Sequence, residues 1–212
     1  MSTVVPTRKN KTRDLLGKEK TNFELPLPRL WTRVDYYHAA DVGIFAPDEK
    51  LELIEGEILT MSPVGSQHSV TVLRTFQFLV RAFGKDYHIN IQEPITLSDM
   101  TEPEPDVIVA MGESGLYEDH HPTPAELRLV VEVSDTTLVF DKTRKAALYN
   151  ACGIPEYWIV NLPLRQIEVF RDPRIDSEYQ SVMVATENET ISPLRAPLAK
   201  IQVSELLPRR RA

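Results

Sequence analysis

Two short apolar runs constrain this chain more than any other feature. Pro105-Asp106-Val107-Ile108-Val109 and Leu129-Val130-Val131-Glu132-Val133 are both β-branched and strand-like, and each carries one carboxylate. Strands of this composition are normally buried on both faces, where an unpartnered carboxylate costs several kcal/mol. Two such groups on neighbouring strands repel each other unless a cation lies between them. The pair is therefore the skeleton of a magnesium-dependent site for phosphodiester chemistry.

At 212 residues and 42% hydrophobic content the chain is long enough for one ordinary domain with a substantial core. The single cysteine, Cys152, excludes an internal disulfide framework and a multi-cysteine zinc site, and it fits a reducing, cytoplasmic setting. No apolar stretch is long enough to span a bilayer, so no membrane partner is expected. The formal charge of −7 is not that of a typical nucleic-acid binder. Basic residues crowd both ends, however: Arg8, Lys9, Lys11, Arg13, Lys18 and Lys20 in front, Arg209, Arg210 and Arg211 behind. The expected layout is a disordered basic tail over 1–28, a single domain over 29–207 and a basic C-terminal tail over 208–212.

Along the body, Thr32 can cap a helix reaching Ala40, and Leu51–Ile54 and Glu57–Met61 flank a tight Glu55-Gly56 hairpin turn. Ser66 can cap a longer helix to Phe83, whose Leu73, Phe76, Leu79, Val80 and Phe83 recur at helical spacing. Strands are predicted at Tyr87–Gln92, Pro94–Leu97, Glu156–Val160, Gln166–Arg171 and Tyr179–Val184, besides the two carboxylate-bearing runs. The alternation in Gln166–Arg171 predicts one face in water. A helix over Asp141–Ala151 ends at Gly153, with Pro155 beyond. This order predicts an α/β fold: a mixed central β-sheet flanked by helices.

The candidate residues carry competing readings. Asp106 is equally a turn carboxylate. Glu132, among valines, is either a site group or half of a buried salt bridge to Arg128, Arg144 or Lys145. Asp141, Lys145 and Tyr149 recur every four residues and share one helix face, a pattern that alone signifies only about 0.2–0.5 kcal/mol of helix support. Lys142 competes with Lys145, one residue round the helix. Glu57 on the hairpin and His68 in the first helical turn complete the set, His68 because a charged histidine there is electrostatically unfavourable. His120 and His121 lack a partner at zinc spacing.

These segments, in order, resemble the Uma-two family of restriction-endonuclease-like proteins. The similarity runs through Leu51-Glu52-Leu53-Ile54-Glu55-Gly56-Glu57-Ile58, Met61-Ser62-Pro63, His68, Glu104-Pro105-Asp106-Val107, Val130-Val131-Glu132-Val133-Ser134, then Asp141, Lys145, Tyr149 and Gly153-Ile154-Pro155-Glu156-Tyr157-Trp158-Ile159-Val160. It covers residues 30 to 190 or so. The resemblance implies a restriction-endonuclease-like core of the PD-(D/E)xK nuclease superfamily, with Mg2+ or Mn2+ held by Asp106 and Glu132. It implies a lysine that positions or activates water. Ser134 stands where the motif has lysine, so that role passes to Lys145 on the following helix. Glu57 takes the place of an additional early acid, and His68 touches phosphate or a metal ligand. The implied activity is endonucleolytic hydrolysis of DNA, in a homodimer. The alternatives are a catalytically silent nucleic-acid- or protein-binding regulatory module on the same fold, and a metal-dependent hydrolase of a small phosphorylated substrate.

Overall fold

The computed structural model describes residues 27–46 and 48–210. The expected N-terminal tail, apart from Leu27 and Pro28, lies outside them, as do the last two residues of the C-terminal one.

Helix α1 (Arg33–Asp41) starts as expected. Thr32 Oγ1 accepts from Asp35 N, and the Asp35 carboxylate accepts in return from Thr32 N, a reciprocal cap that satisfies two otherwise orphaned donors. Strands β1 (Leu51–Ile54) and β2 (Glu57–Thr60) form a two-stranded antiparallel hairpin. Its turn residues Glu55 and Gly56 have φ of 54° and 79°, the left-handed pair this turn type requires. Any side chain at Gly56 would also bring a Cβ within 2.6 Å of Leu30 Cβ. Helix α2 (Ser66–Phe83) follows, with Gly65 rather than Ser66 at the cap and no side-chain hydrogen bond there.

The central sheet runs β3 (Tyr87–Ile91), β4 (Val107–Met111), β5 (Leu127–Ser134), β6 (Glu156–Asn161), β7 (Gln166–Arg171) and β8 (Ser181–Thr186), in that spatial order. Every pair is antiparallel except β5–β6, which is parallel and so needs a crossover. The crossover is a helical run in three pieces: α3 (Leu138–Phe140), a π-helical turn (Asp141–Lys145) and α4 (Ala146–Ala151). It begins three residues before the helix expected from Asp141. The short strands β9 (Thr190–Ile191) and β10 (Ile201–Gln202) pair with each other and lead into α5 (Val203–Leu206).

The sheet has a core on each face. Val107, Val109, Leu129, Val131, Val133, Trp158 and Val160 pack with α2 and α5, whereas Ile108, Val130, Tyr157 and Ile159 pack with Tyr149 and Ala146 of α4. This alternation follows from the period-two geometry of strands, and it explains why β4, β5 and β6 read as unbroken apolar runs.

Three expectations are corrected. Pro94–Leu97 is not a strand: Ile95 N donates to Pro103 O and Leu97 N to Thr101 O, so the segment folds back on its own return path. β7 does not present a face to water. Glu168 is only 2% exposed, because Lys142 and Asn161 supply its partners, while Phe170 joins the α4-side core. Tyr179 precedes β8 instead of opening it, and its buried hydroxyl donates to Ile154 O.

Candidate active site

The site lies where the ends of β4 and β5, the start of α2, the β1–β2 hairpin and the π-helical turn meet. Asp106 immediately precedes β4. The β4–β5 register, Val107 opposite Val131, extends to put Asp106 opposite Glu132, and the N–H of Val133, one residue further, donates to Asp106 Oδ2 at 2.8 Å. The side chain thus takes a backbone donor of β5 just beyond the end of β4. His68 Nε2 lies 3.1 Å from the same oxygen. Among the described residues no hydrogen bond engages Asp106 Oδ1.

Glu132 sits on the α4-side face of β5 with Ser134, opposite Val131 and Val133. Its Oε1 accepts from Lys145 Nζ at 2.9 Å and from Tyr149 Oη at 2.8 Å, and among the described residues no hydrogen bond reaches Oε2. Lys145 also donates to Glu52 Oε1 at 3.2 Å. Ser134 Oγ and Thr137 Oγ1 donate to Asp141 Oδ2, each at 2.6 Å. The wider π turn between Asp141 and Lys145 buries both residues on the sheet side of one helical run, with Lys145 1% exposed. Of the competing readings of Glu132, the structure shows the buried salt bridge, with Lys145 as the partner, and both residues line the cleft.

These residues line a cleft of about 320 Å³, a volume suited to a small group or part of a polymer. Glu49, Glu52, Glu104, Asp106, Glu132, Asp135 and Asp141 contribute seven carboxylates to its wall, against two lysines, Lys50 and Lys145, and His68. The electrostatic consequences are marked. Burial drives the Glu132 carboxyl well above the usual range; only Lys145 opposes this, while Asp141, Asp106 and Glu52 push the same way. Burial also raises Glu52 and Glu104, each further raised by neighbouring carboxylates. Burial alone would lower Lys145, but Glu132, Glu52 and Asp141 outweigh it and hold the ammonium firmly protonated. At His68 burial again acts downward, and the hydrogen bond and charge of Asp106 reverse the sign, leaving its pKa raised.

A divalent cation fits this donor set. Asp106 and Glu132 each have one oxygen held by the protein and one not hydrogen-bonded, and the wall has excess negative charge, whereas both Glu52 oxygens lie 3.2 Å from Lys145 Nζ. Among the described residues no group of three or more His, Cys, Asp or Glu side chains is placed to hold a metal ion by itself. Mg2+ commonly uses only one or two protein carboxylates, with waters and substrate phosphate completing its shell.

The structure brings together Asp106, Glu132, Lys145 and His68. It places Glu57 elsewhere: that side chain is 55% exposed and accepts from Arg144 Nη2 at 2.6 Å. The early acid in the cleft is instead Glu52, two positions from Ile54 on β1. Its signal was the same as that of Glu132, a carboxylate among apolar strand residues, but β1 is too short for alternation to show which side is buried. Lys142 points to Glu168, 2.8 Å away, and is not part of the cleft wall. Glu104 and Gln92 also line the cleft and were not singled out by sequence.

A six-stranded mixed sheet with helices on both faces, and acidic groups where its central strands end, defines a restriction-endonuclease-like fold. A solved structure from Anabaena variabilis ATCC 29413, described as a putative nuclease belonging to DUF820, is similar to it, with a TM-score of 0.64 at 15% identity over 83% of this chain and 97% of that one. The chain belongs to the Uma2 family, described as putative restriction endonuclease, whose model matches residues 34–204. No curated protein matches it. No helix among the described residues is long and apolar enough to cross a membrane.

Proposed function

We propose that this chain is a metal-dependent endonuclease that hydrolyses phosphodiester bonds in DNA. The observation that carries this reading is the Asp106–Glu132 pair. Two buried carboxylates from adjacent strands share one acidic cleft, each with an oxygen not hydrogen-bonded, beside a protonated lysine. Membership of the Uma2 family supports a nuclease-like role.

Asp106 and Glu132 would hold Mg2+ or Mn2+, which when bound polarises a phosphoryl group and acidifies a coordinated water. The chain's own residues then have distinct tasks. Val133 N–H and His68 fix the Asp106 carboxylate, and Tyr149 and Lys145 fix that of Glu132. The carboxylates of Glu132 and Glu52 favour the ammonium form of Lys145. It serves as a fixed positive charge against negative charge developing on the phosphoryl oxygens. His68 Nδ1 is buried without a hydrogen bond, so His68 acts through Nε2 on Asp106. Glu52 anchors Lys145 from the hairpin side.

A homodimer belongs to this reading. The edge strand β8 carries no charge, and its Val182, Met183 and Val184 are all exposed, a surface suited to pairing with a second chain.

Calorimetric titration with Mg2+ and Mn2+ tests the metal assignment. Binding is expected in the wild type and absent in Asp106→Ala and Glu132→Ala. Equal binding in the wild type and both variants would remove these residues from the metal site.

A further inference from the structure

An acidic cleft needs help to retain a polyanion, and its wall offers only Lys50, Lys145 and His68 against seven carboxylates. Arg74 projects from α2 and donates to Leu207 O. Arg165, in the turn between β6 and β7, donates to Pro208 O at 3.0 Å and to Glu187 Oε2 at 2.6 Å. Arg210 reaches the same Glu187 carboxylate through Oε1. Arg209 lies between Pro208 and Arg210 and is exposed. Three guanidinium groups thus meet at the segment from Leu207 to Arg210, and Arg209 adds a fourth basic residue to its sequence. Glu187 is the carboxylate that pairs with them among the described residues, held low by the bonds from Arg210 and Arg165, and Glu205 is the other acid close by in sequence. Arg210 keeps 71% of its side chain exposed.

Glu187 offsets part of this like-charge convergence, and the remaining positive charge along the segment favours an external anion. Two structural features point to which anion. Helix α2 is shared: His68 near its start lines the cleft, and Arg74 lies six residues on, about 9 Å along the axis. The segment is also anchored rather than trailing, since Leu206 and Leu207 are buried in the α2-side core. A duplex backbone presents one phosphate per roughly 1.7 Å of axis, so a rod of that charge density reaches both features at once.

We propose that Arg74, Arg165, Arg209 and Arg210 form a docking surface for the sugar–phosphate backbone of duplex DNA beside the acidic cleft. This rests on the reading of the cleft as a DNA-cleaving centre. Phosphate contacts position a duplex without reading its sequence, so the surface supplies affinity and orientation and not specificity. Arg209 and Arg210 are the residues to change, because Arg74 and Arg165 also hold backbone carbonyls.

The test is fluorescence anisotropy of a labelled duplex against the full chain across a salt series in EDTA, with Mg2+-dependent plasmid cleavage followed separately. Arg209→Ala/Arg210→Ala is expected to reduce the slope of log K against log salt by about 2 and weaken binding roughly tenfold or more near 0.1 M salt. Arg209→Lys/Arg210→Lys should keep most of the slope, and Arg29→Ala, away from the surface, should keep all of it. An unchanged slope in the alanine double variant overturns the docking surface, even if cleavage is intact. Stronger retention of single-stranded DNA or RNA than of duplex by these arginines overturns it too. Binding that depends on these arginines in a chain that never cleaves leaves the surface standing and removes the nuclease reading.

Discussion

Lys145 Nζ lies 2.9 Å from Glu132 Oε1 in a buried ion pair, and the same ammonium donates to Glu52 Oε1 at 3.2 Å. One lysine therefore ties the central strand β5 to the separate β1–β2 hairpin across the floor of the cleft. Breaking a buried pair from one side leaves an uncompensated charge, which costs about 3–5 kcal/mol. Lys145→Met is expected to lose that much stability in urea denaturation. Adding Glu132→Gln should recover part of it, since the stranded carboxylate is removed. A Lys145→Met variant as stable as the wild type would show that the ion pair does not hold the floor together.

His68 gives the pH dependence a definite sign. Its ordinary pKa is 6.5, and although burial pulls it down, the hydrogen bond and charge of Asp106 leave it raised in the folded chain. A raised histidine contributes stability that is fully present below its unfolded pKa and is lost as pH rises through the folded one. The stability difference between the wild type and His68→Asn, measured by denaturation at several pH values, should therefore shrink as pH rises above 6.5. A difference that grows with pH would contradict the His68–Asp106 interaction.

The two hairpin acids should separate cleanly. Glu57 is half exposed and paired with Arg144, so Glu57→Ala should change stability by less than about 1 kcal/mol and leave cleavage intact. Glu52 is buried against Lys145, and Glu52→Ala should cost about 1–3 kcal/mol and depress cleavage. Equal effects on cleavage would return Glu57 to the site.

Cation binding relieves the repulsion between buried carboxylates, so it should also stabilise the fold. At a hundredfold excess over its dissociation constant, a single bound ion adds about 2.7 kcal/mol. The thermal midpoint of the wild type should rise with Mg2+ or Mn2+, and that of Asp106→Asn should not. A rise of the same size in both would locate the ion elsewhere.

Much of this arrangement is legible from residues. The unbroken apolar runs of β4 and β5 made their single carboxylates conspicuous, and the strand period put Glu132 and Ser134 on one face. The four-residue spacing of Lys145 and Tyr149 brings both side chains to Glu132. Three things were not legible. The π turn that buries Asp141 with Lys145 has no sequence signature at this spacing. β7 looked half-solvated because its alternating Glu168 finds partners, Lys142 and Asn161, on other elements. Glu52 and Glu57 both sit in an early four-residue strand, and only the docking of the hairpin against Glu102 decides which faces inward: Glu102 N donates to Leu53 O at 2.7 Å.

If Asp106 and Glu132 hold a catalytic metal, DNA cleavage depends on both residues and on the cation. The most direct measurement is nicking of supercoiled plasmid by the wild type, Asp106→Asn and Glu132→Gln, with Mg2+ or Mn2+ and with EDTA. The account predicts nicking by the wild type alone, abolished by EDTA. Nicking that persists in both variants, or none by the wild type with either metal, would contradict it.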